Sequence, residues 1–133
     1  MQRAVAGAPS TALLRRFALA AGAARSRITL RVVAAREGVK LNRRYRSKGK
    51  ATNVLSFPYG AGSGDVVLCH PVIRKESRQQ KKSLRAHYAH LVVHGVLHLR
   101  GYDHVTRRGA ARMERREIRI LRRLGFADPY AVR

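Results

Sequence analysis

His94-Gly95-Val96-Leu97-His98-Leu99-Arg100-Gly101-Tyr102-Asp103-His104 carries three of the six histidines in the chain. His94 and His98 stand four residues apart, so on a helix they project from one face. Gly101 can close that helix in a left-handed turn, where a side chain with a Cβ is penalised. His104 follows directly behind the turn. Two imidazoles on a rigid helix and a third on the loop after it can face one point and leave a position open. This is the layout of a catalytic zinc site. The stretch therefore predicts a central metal-binding helix, with His94, His98 and His104 holding one zinc ion per chain.

Upstream of this stretch, Ser83 is a helix cap, and the helix it opens should run to about Leu99. Leu84, Tyr88, Leu91, Val92 and Leu99 make that helix apolar enough to be buried at the centre of the fold. His87 and His90 lie on it. His90 is four residues before His94 and reads either as a substrate-side group or as a core or surface histidine. His70 has no placement from pattern alone. Downstream, Asp103 reads equally as an acceptor orienting a ligand imidazole or as a turn or capping residue. Thr106 caps a last helix over 107–124, with Ala110, Met113, Ile120, Leu121 and Leu124 turned inward. Glu117 falls on the same stripe, and a buried carboxylate there needs a partner.

Toward the N-terminus, residues 73–82 are polar and form either a helix or a loose crossover. Asp65 to Val72 reads as a strand that Pro71 should end. Tyr59 to Gly64 is a turn. Val54-Leu55-Ser56-Phe57 is a strand stopped by Pro58. Arg46 to Thr52 is a basic loop and Glu37 to Tyr45 a helix. Ile28 to Val33 alternates and is β-branched, a strand. Residues 1–27 contain no acid. They read as a first helix opening at Ser10 or Thr11, with Leu13, Leu14, Phe17 and Ala21 on one face. The competing reading is a transit or signal segment. Residues 1–27 are thus expected as a basic, partly helical lead segment.

Charge narrows the partner. The 133 residues hold 29 Lys and Arg against 7 Asp and Glu, a formal net charge of +22. That surplus favours a polyanion, nucleic acid first and an anionic membrane surface second. The plainer explanation is a sequence that uses Arg wherever a charge is tolerated. Cys69 is the one cysteine, so no disulfide framework forms within the chain, in keeping with a reducing compartment. No apolar run approaches the ~20 residues of a membrane span.

The spacing His-x-x-x-His-x-x-Gly-x-x-His matches the ligand spacing of metzincin proteases. Those enzymes carry Glu directly after the first histidine as general base; here that position is Gly95. Peptide hydrolysis by that route lacks its base. The metal site stands and the protease reading falls behind.

At these residues the chain resembles the bacterial YbeY family of rRNA maturation endoribonucleases. The matching pieces are His94 to His104, Thr52-Asn53-Val54-Leu55-Ser56-Phe57-Pro58, Gly64-Asp65-Val66-Val67, Asn42 to Arg46, and Leu124-Gly125 to Asp128-Pro129-Tyr130. The likeness spans roughly residues 28 to 130. It implies the fold class α+β, a single domain with a small mixed sheet covered by helices, with 28–130 as the functional domain behind the segment 1–27. It implies as well a zinc ion on His94, His98 and His104, single-strand-specific RNA cleavage, and a cytoplasmic role in 16S rRNA 3′-end maturation and ribosome quality control. It also implies a functional arginine after the tyrosine of the basic loop, which here is Arg46. Two positions depart from the family pattern: Asn53, more often Asp, and Ser63, usually apolar.

The mechanism expected is metal-assisted phosphodiester cleavage, with Arg46 stabilising charge on the phosphate. The general base is unassigned. Weaker RNA contacts are expected from Arg43, Arg44, Lys48 and Lys50, and a wider groove could add Arg74, Lys75, Arg78, Lys81 and Lys82. The partner expected is RNA, as rRNA, ribosome or 30S subunit, with no membrane; ribosomal-protein or GTPase partners are left unassigned. The rival class is a non-catalytic ribosome or RNA-binding assembly factor with a structural zinc.

Overall fold

The computed structural model describes residues 2–3, 7–23, 27–34 and 53–131. The expected helix Glu37 to Tyr45, the basic loop Arg46 to Thr52, and with them Arg43, Arg44, Arg46, Lys48 and Lys50, lie outside the described residues.

Four strands form one mixed sheet: β1 (Gln2–Arg3), β2 (Ile28–Val33), β3 (Val54–Gly60) and β4 (Ser63–Cys69), in the order β1-β2-β4-β3. β2 runs parallel to both β1 and β4, and β3 returns antiparallel to β4. β4 is therefore the inner strand of the site-bearing half. Its Val66, Val67, Leu68 and Cys69 are all buried, as a strand covered on both faces requires.

Two proline expectations are corrected. Pro58 does not stop β3, which continues to Gly60 with Pro58 opposite Gly64. β3 is an edge strand, and an edge leaves room for a residue without an N–H. The turn is correspondingly shorter: Gly60, Ala61 and Gly62 take positive φ and β4 begins at Ser63. Pro71, for its part, does not close a strand reaching Val72. β4 ends at Cys69, and α2 (His70–Gln79) starts with the proline in its first turn. There its missing N–H costs nothing and its fixed φ suits the helix. The polar crossover is thus a helix.

α1 (Thr11–Ala20) is capped by Ser10, whose hydroxyl accepts from the Leu13 N–H. It buries Leu14, Phe17 and Ala18 and packs on α3 (Leu84–Leu99). Arg100 fastens this contact by donating to the Ala21 carbonyl at 2.8 Å. α3 is the axis of the core. Tyr88, Ala89, Val92, Val93, Val96 and Leu97 on it are fully buried, meeting Leu30 and Val32 of β2 and Val66 and Leu68 of β4 in one cluster. α4 (Arg107–Arg123) is capped by Thr106 and lays Met113, Glu117, Ile120 and Leu121 inward. No helix among the described residues is long and apolar enough to cross a membrane.

Candidate metal centre

The end of α3 shows how local sequence aims the site. Gly101 takes φ +96°. Its N–H donates to the His98 carbonyl at 3.1 Å, and the Tyr102 N–H reaches back to Leu97 at 3.0 Å. This paired closure satisfies the orphan carbonyls of the last turn and reverses the chain. The Asp103 carboxylate then accepts from the Val105 N–H at 3.1 Å. Of its two readings Asp103 takes the turn role, and that turn sets the position of His104.

The reversal brings the three expected histidines together. One ligand nitrogen from each of His94, His98 and His104 lies within 4.8 Å of the others. Tetrahedral zinc, with bonds of about 2.0–2.1 Å, asks its nitrogens to sit somewhat closer. His94 and His98 are half-buried and His104 is exposed. The cluster could hold a metal ion. It opens on a cavity of about 530 Å³ walled by Asn53, Val54, Ser56 and Pro58 of the β3 edge and by Val105. Burial first, then the facing His94 and His104, pushes His98 down to about 4. It is therefore neutral at pH 7, the form a metal needs.

Behind His94 stands the group that sequence reasoning left without a partner. The Glu117 carboxylate, completely buried, meets His94 Nδ1 at 2.5 Å. Its other oxygen meets His90 Nε2 at 3.1 Å and accepts from the Tyr130 hydroxyl. Burial pushes this carboxyl up, but the hydrogen bonds from His90, His94 and Tyr130 outweigh it and hold it at about 2. An ionised carboxylate on Nδ1 fixes the proton there and leaves Nε2 of His94 as the donor for a metal. Carboxylate, histidine and metal form such a relay in many zinc sites. The signal available in the sequence was a carboxylate on an apolar helical stripe. Which histidine it served depended on how α3 and α4 pack.

Of the remaining histidines, His70 and His87 are core groups and His90 is partly buried. His90 is not aimed at the cavity but at Glu117 and Tyr130. His87 is buried and bonds Glu76 of α2 at 2.9 Å; Glu76 also accepts from Asn53 at 3.1 Å. His70 is buried with Nδ1 2.6 Å from the Tyr88 hydroxyl. Of the wider basic set, Arg74, Lys75, Arg78 and Lys81 are exposed on or just beyond α2.

Gly95 acquires a second meaning. A Cβ at this position would stand 2.7 Å from Val66 Cγ1 and 3.3 Å from Ser56 Oγ. The residue after the first histidine faces the sheet, and the close approach of α3 to β4 requires glycine there. No general base could be carried at this point without separating helix and sheet.

Comparison with known proteins now decides the lineage. The family model described as Endoribonuclease YbeY matches residues 10–125. The chain belongs to the YbeY family. Similar curated members include the Endoribonuclease YbeY of Nitrosospira multiformis, 50% identical over 92% of this chain and 74% of that protein. That of Aromatoleum aromaticum is 48% identical over 98% of this chain and 90% of its own. That of Methylibium petroleiphilum is 53% identical over 78% and 72%. The fold matches the solution structure of TM1509 from Thermotoga maritima with a TM-score of 0.57 at 20% identity, covering 91% of this chain and 88% of that one. This YbeY family member thus shares the fold of that protein, and its histidine cluster lies within the segment that the family model matches.

Proposed function

We propose that this protein is a zinc-dependent endoribonuclease that cuts single-stranded RNA. Its role would be cytoplasmic, in 16S rRNA 3′-end maturation and ribosome quality control on the 30S subunit. The observation that carries the reading is the three-histidine cluster at the mouth of an open cavity, with a buried carboxylate behind one ligand, in a member of the YbeY family. Three imidazoles without an acid suit zinc over the harder magnesium and calcium ions. The chemistry a zinc ion supplies at such a centre is polarisation of a phosphate oxygen and acidification of water.

The chain's own groups do the rest. His94, His98 and His104 would hold the ion, and the cavity beside them would take the substrate. Glu117 keeps the proton of His94 on Nδ1. The RNA strand would run along the cavity wall of Asn53, Ser56 and Pro58. Arg46 is assigned the charge that builds on the phosphate, as a planar fork donor. Arg43, Arg44, Lys48 and Lys50 are assigned to the phosphates on either side. Residues 28–130 are read as the catalytic unit, preceded by a basic, partly helical segment over 1–27.

The test is cleavage of a short single-stranded RNA by the zinc-loaded parent and by His98→Ala and Arg46→Glu proteins. Both variants should lose at least 100-fold in rate. Should both cut like the parent, the enzymatic reading fails and a non-catalytic assembly factor with a structural zinc takes its place.

A further inference from the structure

α4 turns Glu117 inward toward His94, and its opposite side carries a different chemistry. Arg108, Arg112, Arg115, Arg119 and Arg122 follow one another at intervals of four, three, four and three residues. That interval keeps them on a single stripe, and all five are exposed. At 1.5 Å per residue the stripe is about 21 Å long. Arg115, Arg119, Arg122 and Arg123 with Ile118 line a shallow groove at its C-terminal half. Among the described residues no ion pair joins the five stripe arginines to a carboxylate. Like charges three and four residues apart weaken a helix, so the arrangement works against folding and calls for a purpose outside it.

We infer that this outer face of α4 is a docking surface for the phosphate backbone of a double-helical RNA segment, separate from the strand that enters the histidine cavity. The inference rests on the endoribonuclease reading for its biological sense but not for its physics. Guanidinium forks match phosphate oxygens. Surfaces that hold single strands add aromatic side chains on which bases stack. The stripe has none free: Tyr102, the nearby aromatic, is covered by Arg112 at 4.9 Å. A face that can grip phosphates but cannot stack bases suits a duplex, whose bases are already stacked inside. A membrane-surface helix would need its apolar side in lipid, whereas Met113, Ile120 and Leu121 are committed to the core. The stripe also points away from Glu117 and the metal centre, so strand cutting and duplex holding do not compete for the same surface.

The experiment uses the full zinc-loaded chain with Arg108, Arg115, Arg119 and Arg122 all changed to Gln; Arg112 is spared for its contact with Tyr102. Affinity for a blunt 20-bp RNA duplex is followed by anisotropy across a salt series. The expected result is at least about a 30-fold loss at 0.15 M salt. The slope of log K against log salt should flatten by roughly 3 to 4, near 0.9 for each phosphate contact removed. Cleavage of a short single-stranded RNA should stay within about threefold of the parent.

A control changes Arg15, Arg16, Arg27 and Arg85 to Gln, removing the same charge from exposed positions away from α4. Equal loss of duplex affinity in this control would overturn the inference, because net charge and not the stripe would be responsible. Unchanged duplex affinity and slope in the α4 variant would also overturn it. So would loss of binding to phosphatidylglycerol-containing vesicles with the duplex still held. A parent that fails to cut the single strand removes the endoribonuclease reading instead, and the duplex comparison is read regardless.

Discussion

Two of the histidine–carboxylate pairs made by α3, seven residues apart, do different work. His87 meets Glu76 at 2.9 Å and His94 meets Glu117 at 2.5 Å. In the first pair the histidine side chain is 4% exposed and its carboxylate 28%. In the second the order is reversed: histidine 24%, carboxylate 0%. The buried member of the first pair is the ring, with Nδ1 sealed in the protein and without a hydrogen bond. The buried member of the second pair is the acid, and the ring keeps a nitrogen toward a cavity. The same two residue types therefore give a core tie in one place and, in the other, a brace for a histidine of the candidate metal cluster. What separates them is which partner is turned to the solvent.

The sharpest way to break this contrast is to delete each ring. His94→Ala should abolish stoichiometric zinc, read by elemental analysis. His87→Ala should keep the metal and lose about 2 kcal/mol of unfolding free energy. Zinc retained without His94 would end the ligand assignment.

Next in size is Gly95→Glu, which restores the protease-like residue. Its side chain enters the 2.7 Å approach to Val66, so overpacking and a buried charge together should cost about 3 kcal/mol or more, read by urea denaturation. A stable Gly95→Glu protein would show that α3 can move off the sheet.

Exchanging the carboxylates is a gentler probe. Glu117→Gln should weaken zinc affinity 10- to 100-fold, while Glu76→Gln leaves it within about twofold. Equal effects in a competition assay would erase the distinction between the pairs.

The smallest effect is on pH. His98 titrates near 4 in the folded protein, against 6.5 ordinarily, and His87 is also lowered, by its burial first. Above pH 6.5 both rings are neutral whether folded or not. Below it the unfolded chain takes up protons that the folded one refuses, so the metal-free protein should lose stability between about pH 6.5 and 4. Glu117, held at about 2, adds stability that disappears only on further acidification. A urea midpoint that rises from pH 7 to pH 5 would contradict this sign.

Much of the centre was legible because it is local. His94 and His98 share a helical face by spacing alone. Gly101 marks the helix end because the turn needs a positive φ. Ser83 and Thr106 act as the caps their side chains allow, accepting from the Ala86 and Gly109 N–H groups. The strand Ile28–Val33 stands where alternation put it. Each of these depends on residues within about one turn or a few strand positions of one another.

The chain's non-local decisions could not be read that way. Glu117 needed a partner by burial, but that it is His94, 23 residues away, follows from the crossing of α3 and α4. Gly95 looked like a base withheld; the packing of α3 on Val66 shows it as a place where only glycine fits. Pro58 stays within a strand because β3 lies at the sheet edge, and a strand's neighbours are set by the whole sheet. The sequence by itself determined which side chains could form a metal centre and the helix that carries them. Tertiary structure decided which carboxylate supports it, which histidines are withdrawn into the core, and which face of α4 is left outward with its arginines. The physical reason is that hydrogen-bonding and metal-ligating groups act over a few ångströms, and only the packed fold brings distant residues that close.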